Sequence, residues 1–330
     1  MKYNLLFFVL LLAQCEQKPA QQHISQGQKK ESALPTVSVI QRLAYPKADS
    51  AELVFYKTQY YAANALQKVK EDELKNWGKI LEAKYEKKFV QKHYSKYFNL
   101  AYRCTEAEAN SLEYITNVFF KYVYPLYFRY EPEHPFQIVY FANKPEFTEH
   151  TSSDAYGFYQ PSTKTLFTYA HSGEGTLWHE LMHAFVDANI EHNIPQWFSE
   201  GLASFYEMGG IHNNTFVEGY TNWRLPLLQK MLANKTYLPL PAFVAESTMS
   251  EDNAYAKARF LFCYLWVYDK MVPFTKTYLY ELSARYKGKE LGEKAIAEME
   301  KLVGKDIIAI EKEYKIWAMQ MLPSQKLQKR

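Results

Sequence analysis

Residues 179–183 read His-Glu-Leu-Met-His. On an α-helix, positions i and i+4 share a face about one turn apart, so the imidazoles of His179 and His183 can reach one metal ion. Glu180 sits beside the first histidine and can touch a metal-bound water without displacing it, which is why this spacing suits a zinc hydrolase. A catalytic zinc needs a third protein ligand and one open position. Glu200 supplies that ligand, within Pro195-Gln196-Trp197-Phe198-Ser199-Glu200-Gly201-Leu202-Ala203. Pro195 suits a helix start and Gly209-Gly210 its end, so Glu200 falls on a rigid second helix. Two helices joined by a turn near Glu191 to Ile194 would bring His179, His183 and Glu200 around one Zn²⁺.

H-E-x-x-H followed by a helix bearing E-G-x-A resembles the gluzincin metallopeptidases, the thermolysin and aminopeptidase clan. The wording around Pro195, Trp197 and Glu200-Gly201-Leu202-Ala203 is similar to the peptidase-MA-like domains of exported bacterial proteins. The resemblance runs roughly from Ser95 to Leu322. It implies that His179, His183 and Glu200 hold zinc and that Glu180 is the general base. Zinc would lower the pKa of its water toward ~7 and polarise the scissile carbonyl; Glu180 would take the water proton and deliver it to the leaving amine. Gluzincins add a Tyr or His from a later helix to hold the oxyanion. Tyr255, in Asn253-Ala254-Tyr255-Ala256-Lys257, stands where related domains place such a tyrosine, with His171 and His212 as alternatives. The resemblance further implies an edge strand that pairs with the substrate backbone, and Lys164 to Ala170, just before the motif helix, is the stretch in that place. A metal-bound histidine gives its other N–H to a carboxylate or carbonyl. Asp187, Ser204 and Glu207 each share a helix face with a ligand, and spacing alone does not choose among them.

The elements that must position these residues read as α+β, strands first and a helical block behind. Tyr94 to Arg103 is strand-like, Thr105 is an N-cap, and Glu106 to about Phe128 is a long amphipathic helix. Phe136 to Ala142 and Lys164 to Ala170 read as strands, the second entered through a turn at Gln160-Pro161-Ser162. Helices follow from Glu174 onward, one capped by Ser250 and running to about Asp269. The fold expected is a small sheet packed on a mostly helical body, the zincin-like arrangement that the resemblance implies.

Ahead of this body, Lys2 and the apolar run Leu5 to Ala13 read as a signal peptide over residues 1–14, because the run is too short to span a bilayer. Leu12-Ala13-Gln14-Cys15 resembles a bacterial lipobox, with Gln14 where that pattern has a small residue. It implies a lipid on Cys15 as the only membrane attachment. Residues 15–50 read as a polar tether, residues 51–94 as a helical N-terminal segment with Lys68 to Lys88 on a solvated face, and residues 95–322 as the metallopeptidase domain. The expected location is outside the cytoplasm, on the cell envelope as a lipoprotein or secreted.

Composition narrows the partners. With 39 basic and 36 acidic residues the net charge is +3, too even for the clustered basic face of a nucleic-acid binder. Three cysteines exclude a disulfide scaffold and a Cys-rich zinc module, and Cys104 and Cys263 read as buried thiols. The expected activity is zinc-dependent hydrolysis of a protein or peptide. Two rivals share the motif: a zincin-fold binding lipoprotein without turnover, and a zinc amidase acting on cell-wall peptides.

Overall fold

The computed structural model describes residues 75–85, 89–245 and 252–330. The signal peptide, Cys15, the tether, residues 51–74 and the Ser250 cap lie outside them. The architecture is α+β, as the element order predicts. Five strands form one mixed sheet in the order β1-β2-β3-β5-β4. β1 (Val90–Ser95) and β2 (Phe98–Tyr102) make an antiparallel hairpin, β3 (Phe136–Phe141) and β5 (Thr165–Tyr169) continue parallel, and β4 (Gly157–Gln160) returns antiparallel on β5.

Two expectations change here. The strand-like stretch Tyr94 to Arg103 is the end of β1, a turn and β2, so the sheet begins at Val90, inside the stretch read as helical. β1 is mostly solvated and its pattern is ambiguous, whereas β2 is buried at all five positions and recruits it by backbone pairing. The second change concerns the edge. β5 is flanked by β3 and β4, so it has no free edge, and β4 occupies that place.

Alternation along the strands sorts the core into two layers. Phe98, Leu100, Phe136, Ile138 and Leu166 face the helical body. Ala101, Val139, Phe141, Phe167 and Tyr169 face the other way, where Trp77, Leu81 and Tyr85 of the helical residues 75–85 cover them. This described part of the N-terminal segment therefore packs on the sheet face opposite the motif helix.

The helical body starts with α1 (Glu106–Tyr127), whose Thr105 and Glu108 form the reciprocal capping box. α2 (Lys144–Thr151) follows β3, and the motif helix α3 (Glu174–Asp187) follows β5. Next come α4 (Gln196–Phe205), a hairpin of β6 (Gly210–His212) and β7 (Thr215–Val217), then α5 (Leu225–Ala233), α6 (Leu240–Ala245) and α7 (Asp252–Val267). α8 (Met271–Thr277), a π-turn over Tyr278–Leu282, α9 (Gly288–Val303) and α10 (Ile307–Gln320) complete the bundle. The C-terminal segment is part of the body: Leu327 N–H donates to Gly219 O at 2.8 Å and Thr221 N–H donates to Gln325 O at 2.9 Å. No helix among the described residues is long and apolar enough to cross a membrane. Cys104 and Cys263 are free thiols, the first half-buried and the second buried.

Candidate metal centre

α3 is amphipathic with a purpose on each face. Leu177, Trp178, Leu181, Met182 and Phe185 are buried, which leaves His179, Glu180 and His183 on the half-buried side of the helix, toward α4 and β4. α4 starts at Pro195, and its Trp197, Phe198 and Leu202 are fully buried. Gly201 is what lets α4 lie against α7: a Cβ there would fall 2.7 Å from the Phe262 ring and 3.1 Å from Ala258 O. Close seating of α4 on α7 leaves the neighbouring Glu200 facing α3.

The three predicted ligands converge. His179 Nε2 and His183 Nε2 are 3.1 Å apart, and Glu200 Oε2 lies 3.2 Å from the first and 3.6 Å from the second. Four-coordinate zinc with bonds of about 2.0–2.1 Å places its ligands about 3.3–3.4 Å apart, so these separations match the edges of one tetrahedron. Two imidazoles and a carboxylate are also the donor types that zinc takes. The site is mostly shielded, with the three side chains 12%, 19% and 17% exposed.

The outward ring nitrogens are also supported. His179 Nδ1 faces Glu207 Oε1 at 3.1 Å, an ion pair without an aligned hydrogen bond. Glu207 in turn accepts from Arg224 Nη2 at 2.8 Å, Arg224 Nε at 2.9 Å and Asn222 Nδ2 at 3.0 Å. His183 Nδ1 is 3.1 Å from Ser199 Oγ. In the tautomer protonated on Nδ1, each ring turns an unprotonated Nε2 inward, as metal ligation requires, with a carboxylate beside one Nδ1 and a hydroxyl beside the other.

The charges at the site balance one another. Burial would raise the Glu200 carboxyl, but His183 and His179 outweigh it and hold it well below the usual carboxylate range. Burial acts on Glu207 in the same way, and Arg224 and His179 hold it low. His179 is pushed well above the ordinary imidazole value, because Glu200 and Glu207 overcome the desolvation that would lower it.

Of the three residues whose helix spacing offered support for a ligand, Glu207 meets one. Asp187 instead accepts from the Tyr159 hydroxyl at 2.6 Å, and Ser204 donates to Gly201 O at 3.3 Å. Glu207 lies beyond the end of α4, and its reach depends on Gly175. A Cβ at Gly175 would fall 2.2 Å from Glu207 O, so the first turn of α3 rests directly on the Glu207 backbone.

Glu180 is beside the ligands, and its Oε2 accepts the Tyr159 N–H of β4 at 2.8 Å. Tyr255 lies on α7 next to the network: its hydroxyl accepts from Gln196 Nε2 at 3.3 Å and its ring lies 5.4 Å from the Arg224 guanidinium. His171 is 84% exposed and pairs with Glu108, and His212 is exposed on β6. The sequence reading missed Ser199, Asn222, Arg224 and Tyr159. Only Ser199 carried a local signal, its place immediately before Glu200. Among the described residues, His179, His183 and Glu200 are the one group of three or more His, Cys, Asp or Glu placed to hold a metal. No family model matches the chain, and no curated protein matches it.

Proposed function

We propose that the chain is a zinc-dependent peptidase with a zincin-like catalytic domain, exported and tethered through Cys15. The observation that carries this reading is the convergence of His179, His183 and Glu200 at tetrahedral spacing, with Glu180 beside them and separate partners on both outward ring nitrogens. A zinc ion held there supplies a Lewis acid for a peptide carbonyl and an acidified water. Glu180 is the group that moves protons, from water to the leaving amine, since its carboxylate adjoins the ligands without being one. Glu207 and Ser199 keep the two imidazoles in the ligating tautomer. Tyr255 is the proposed donor to the oxyanion, a reading supported by its contacts with Gln196 at the start of α4 and with Arg224, the partner of Glu207. β4 is an outer strand of the sheet beside Glu180, the edge along which an extended peptide would lie.

Zinc analysis and a peptide-library digest test the proposal together. The expected result is about one zinc per chain, lost in His179→Ala and His183→Ala, and cleavage that disappears in Glu180→Gln with the metal retained. Equal cleavage by Glu180→Gln would overturn the catalytic role. Zinc content unchanged by both histidine variants would overturn the site.

A further inference from the structure

The edge strand and the motif helix advance together. Gly157 lies beside Thr176 at the start of α3, with a Cβ placed there falling 3.1 Å from Thr176 Cγ2. Two residues on, the Tyr159 N–H donates to Glu180 at 2.8 Å, and the Tyr159 hydroxyl reaches forward to Asp187 at 2.6 Å. Because the Tyr159 N–H points away from β5, residues 157, 159 and then 161 form the outward backbone row of this edge. Position 161 is proline, which has no N–H, and its carbonyl already accepts from Lys164 N at 3.2 Å. Because the Tyr159 N–H is itself held by Glu180, only the carbonyl of that residue is left for a strand added to β4, and nothing beyond it.

An added peptide that runs antiparallel to β4, as β5 does, directs its N-terminal residues toward Pro161 and the C-terminal end of α3. Seven residues of helix put Asp187 about 10 Å beyond Glu180, a distance that an extended chain covers in about three residues. There the Tyr159 side chain, half-buried against the core, spans from strand to helix. Asp187 is half-buried, and the bond from Tyr159 engages its Oδ2 and leaves Oδ1 for a cation.

Resting on the peptidase reading of the centre, we infer that Tyr159 and Asp187 close the cleft on the N-terminal side of the scissile bond. Asp187 takes the α-ammonium of a peptide with no more than about three residues on that side. The substrate class is thus a peptide with a free amino terminus, trimmed by a short fragment.

The test is a peptide series with one common C-terminal half and N-terminal halves of increasing length, each free or N-acetylated. The zinc-loaded full chain, Asp187→Asn and Tyr159→Ala are compared. In the wild type kcat/KM is expected to fall about tenfold to a hundredfold when a short peptide is acetylated, and to fall again when the N-terminal half exceeds about three residues. Asp187→Asn should bring free and acetylated peptides to the same rate, and Tyr159→Ala should admit the longer ones. A wild type that cleaves long and acetylated peptides as fast as short free ones remains a peptidase and overturns this inference. A zinc-loaded wild type that cleaves none overturns the peptidase reading and this inference with it. If Tyr159→Ala does not fold, Asp187→Asn decides alone: a ratio of free to acetylated rates equal to that of the wild type overturns the ammonium site.

Discussion

His179 and His183 stand on one helix face, four residues apart, and are supported in opposite styles. Behind His179 runs a buried polar network: the Glu207 carboxylate, the two N–H groups of Arg224 and the neutral Asn222 amide. Behind His183 is one hydroxyl, Ser199. Ser199 adjoins Glu200 on α4, so the same short helix brings both a candidate ligand and the partner of another. Glu207 and Arg224 come from beyond α4 and from beyond the β6–β7 hairpin, and the C-terminal segment pairs with residues 219 and 221 just before Arg224. A buried carboxylate raises the basicity of its imidazole more than a hydroxyl can. It also has to be neutralised, because an uncompensated buried charge is severely destabilising. The His179 side is therefore the stronger support and the more fragile one.

Glu207→Ala tests that difference most sharply. It removes the buried carboxylate that Arg224 and His179 share and is expected to cost about 3–5 kcal/mol in denaturant unfolding, together with about a 10–100-fold loss of zinc affinity. An equal loss from Ser199→Ala would break the comparison. Metal removal comes next. Zinc at about 100 times its dissociation constant should stabilise the fold by about 2.7 kcal/mol, read as a lower melting temperature after chelation. In Glu207→Gln that chelation shift should shrink. Gly175→Ala should cost about 1–3 kcal/mol, since a methyl group must push α3 off the Glu207 backbone. Imidazole NMR signals should move for His179 and stay for His183, and movement of both would show that the two supports are not separable. Ser199→Ala is the smallest, about 0.5–1.5 kcal/mol, visible as a modest rise in the zinc dissociation constant.

The same contrast explains what could be read in the sequence. His179, Glu180 and His183 are legible because helical geometry alone places them, and Glu200 because Pro195 opens a second helix that carries it. The choice among Asp187, Ser204 and Glu207 was not legible, since all three satisfy the same helical spacing. Gly175 resolves it through a contact 32 residues along the chain. Arg224 carries no periodic or spacing signal linking it to Glu207. The edge strand was misplaced for a related reason. β5 has a strong apolar strand pattern, while β4 is four residues beginning with glycine, and a strand pattern does not say which neighbours it will pair with.

By itself, the sequence determined the local chemistry: two imidazoles on one helix face, a carboxylate between them, a second helix with a third candidate ligand, and strands ahead of helices. These follow from short-range stereochemistry, in which residue type and spacing are the whole cause. Tertiary structure decided which carboxylate supports His179, that β4 rather than β5 forms the edge, and that Tyr159 bridges that edge to Asp187. Those outcomes depend on backbone approaches between distant segments, at Gly175 and Gly201 above all, where the absence of a side chain allows contact that no spacing rule encodes.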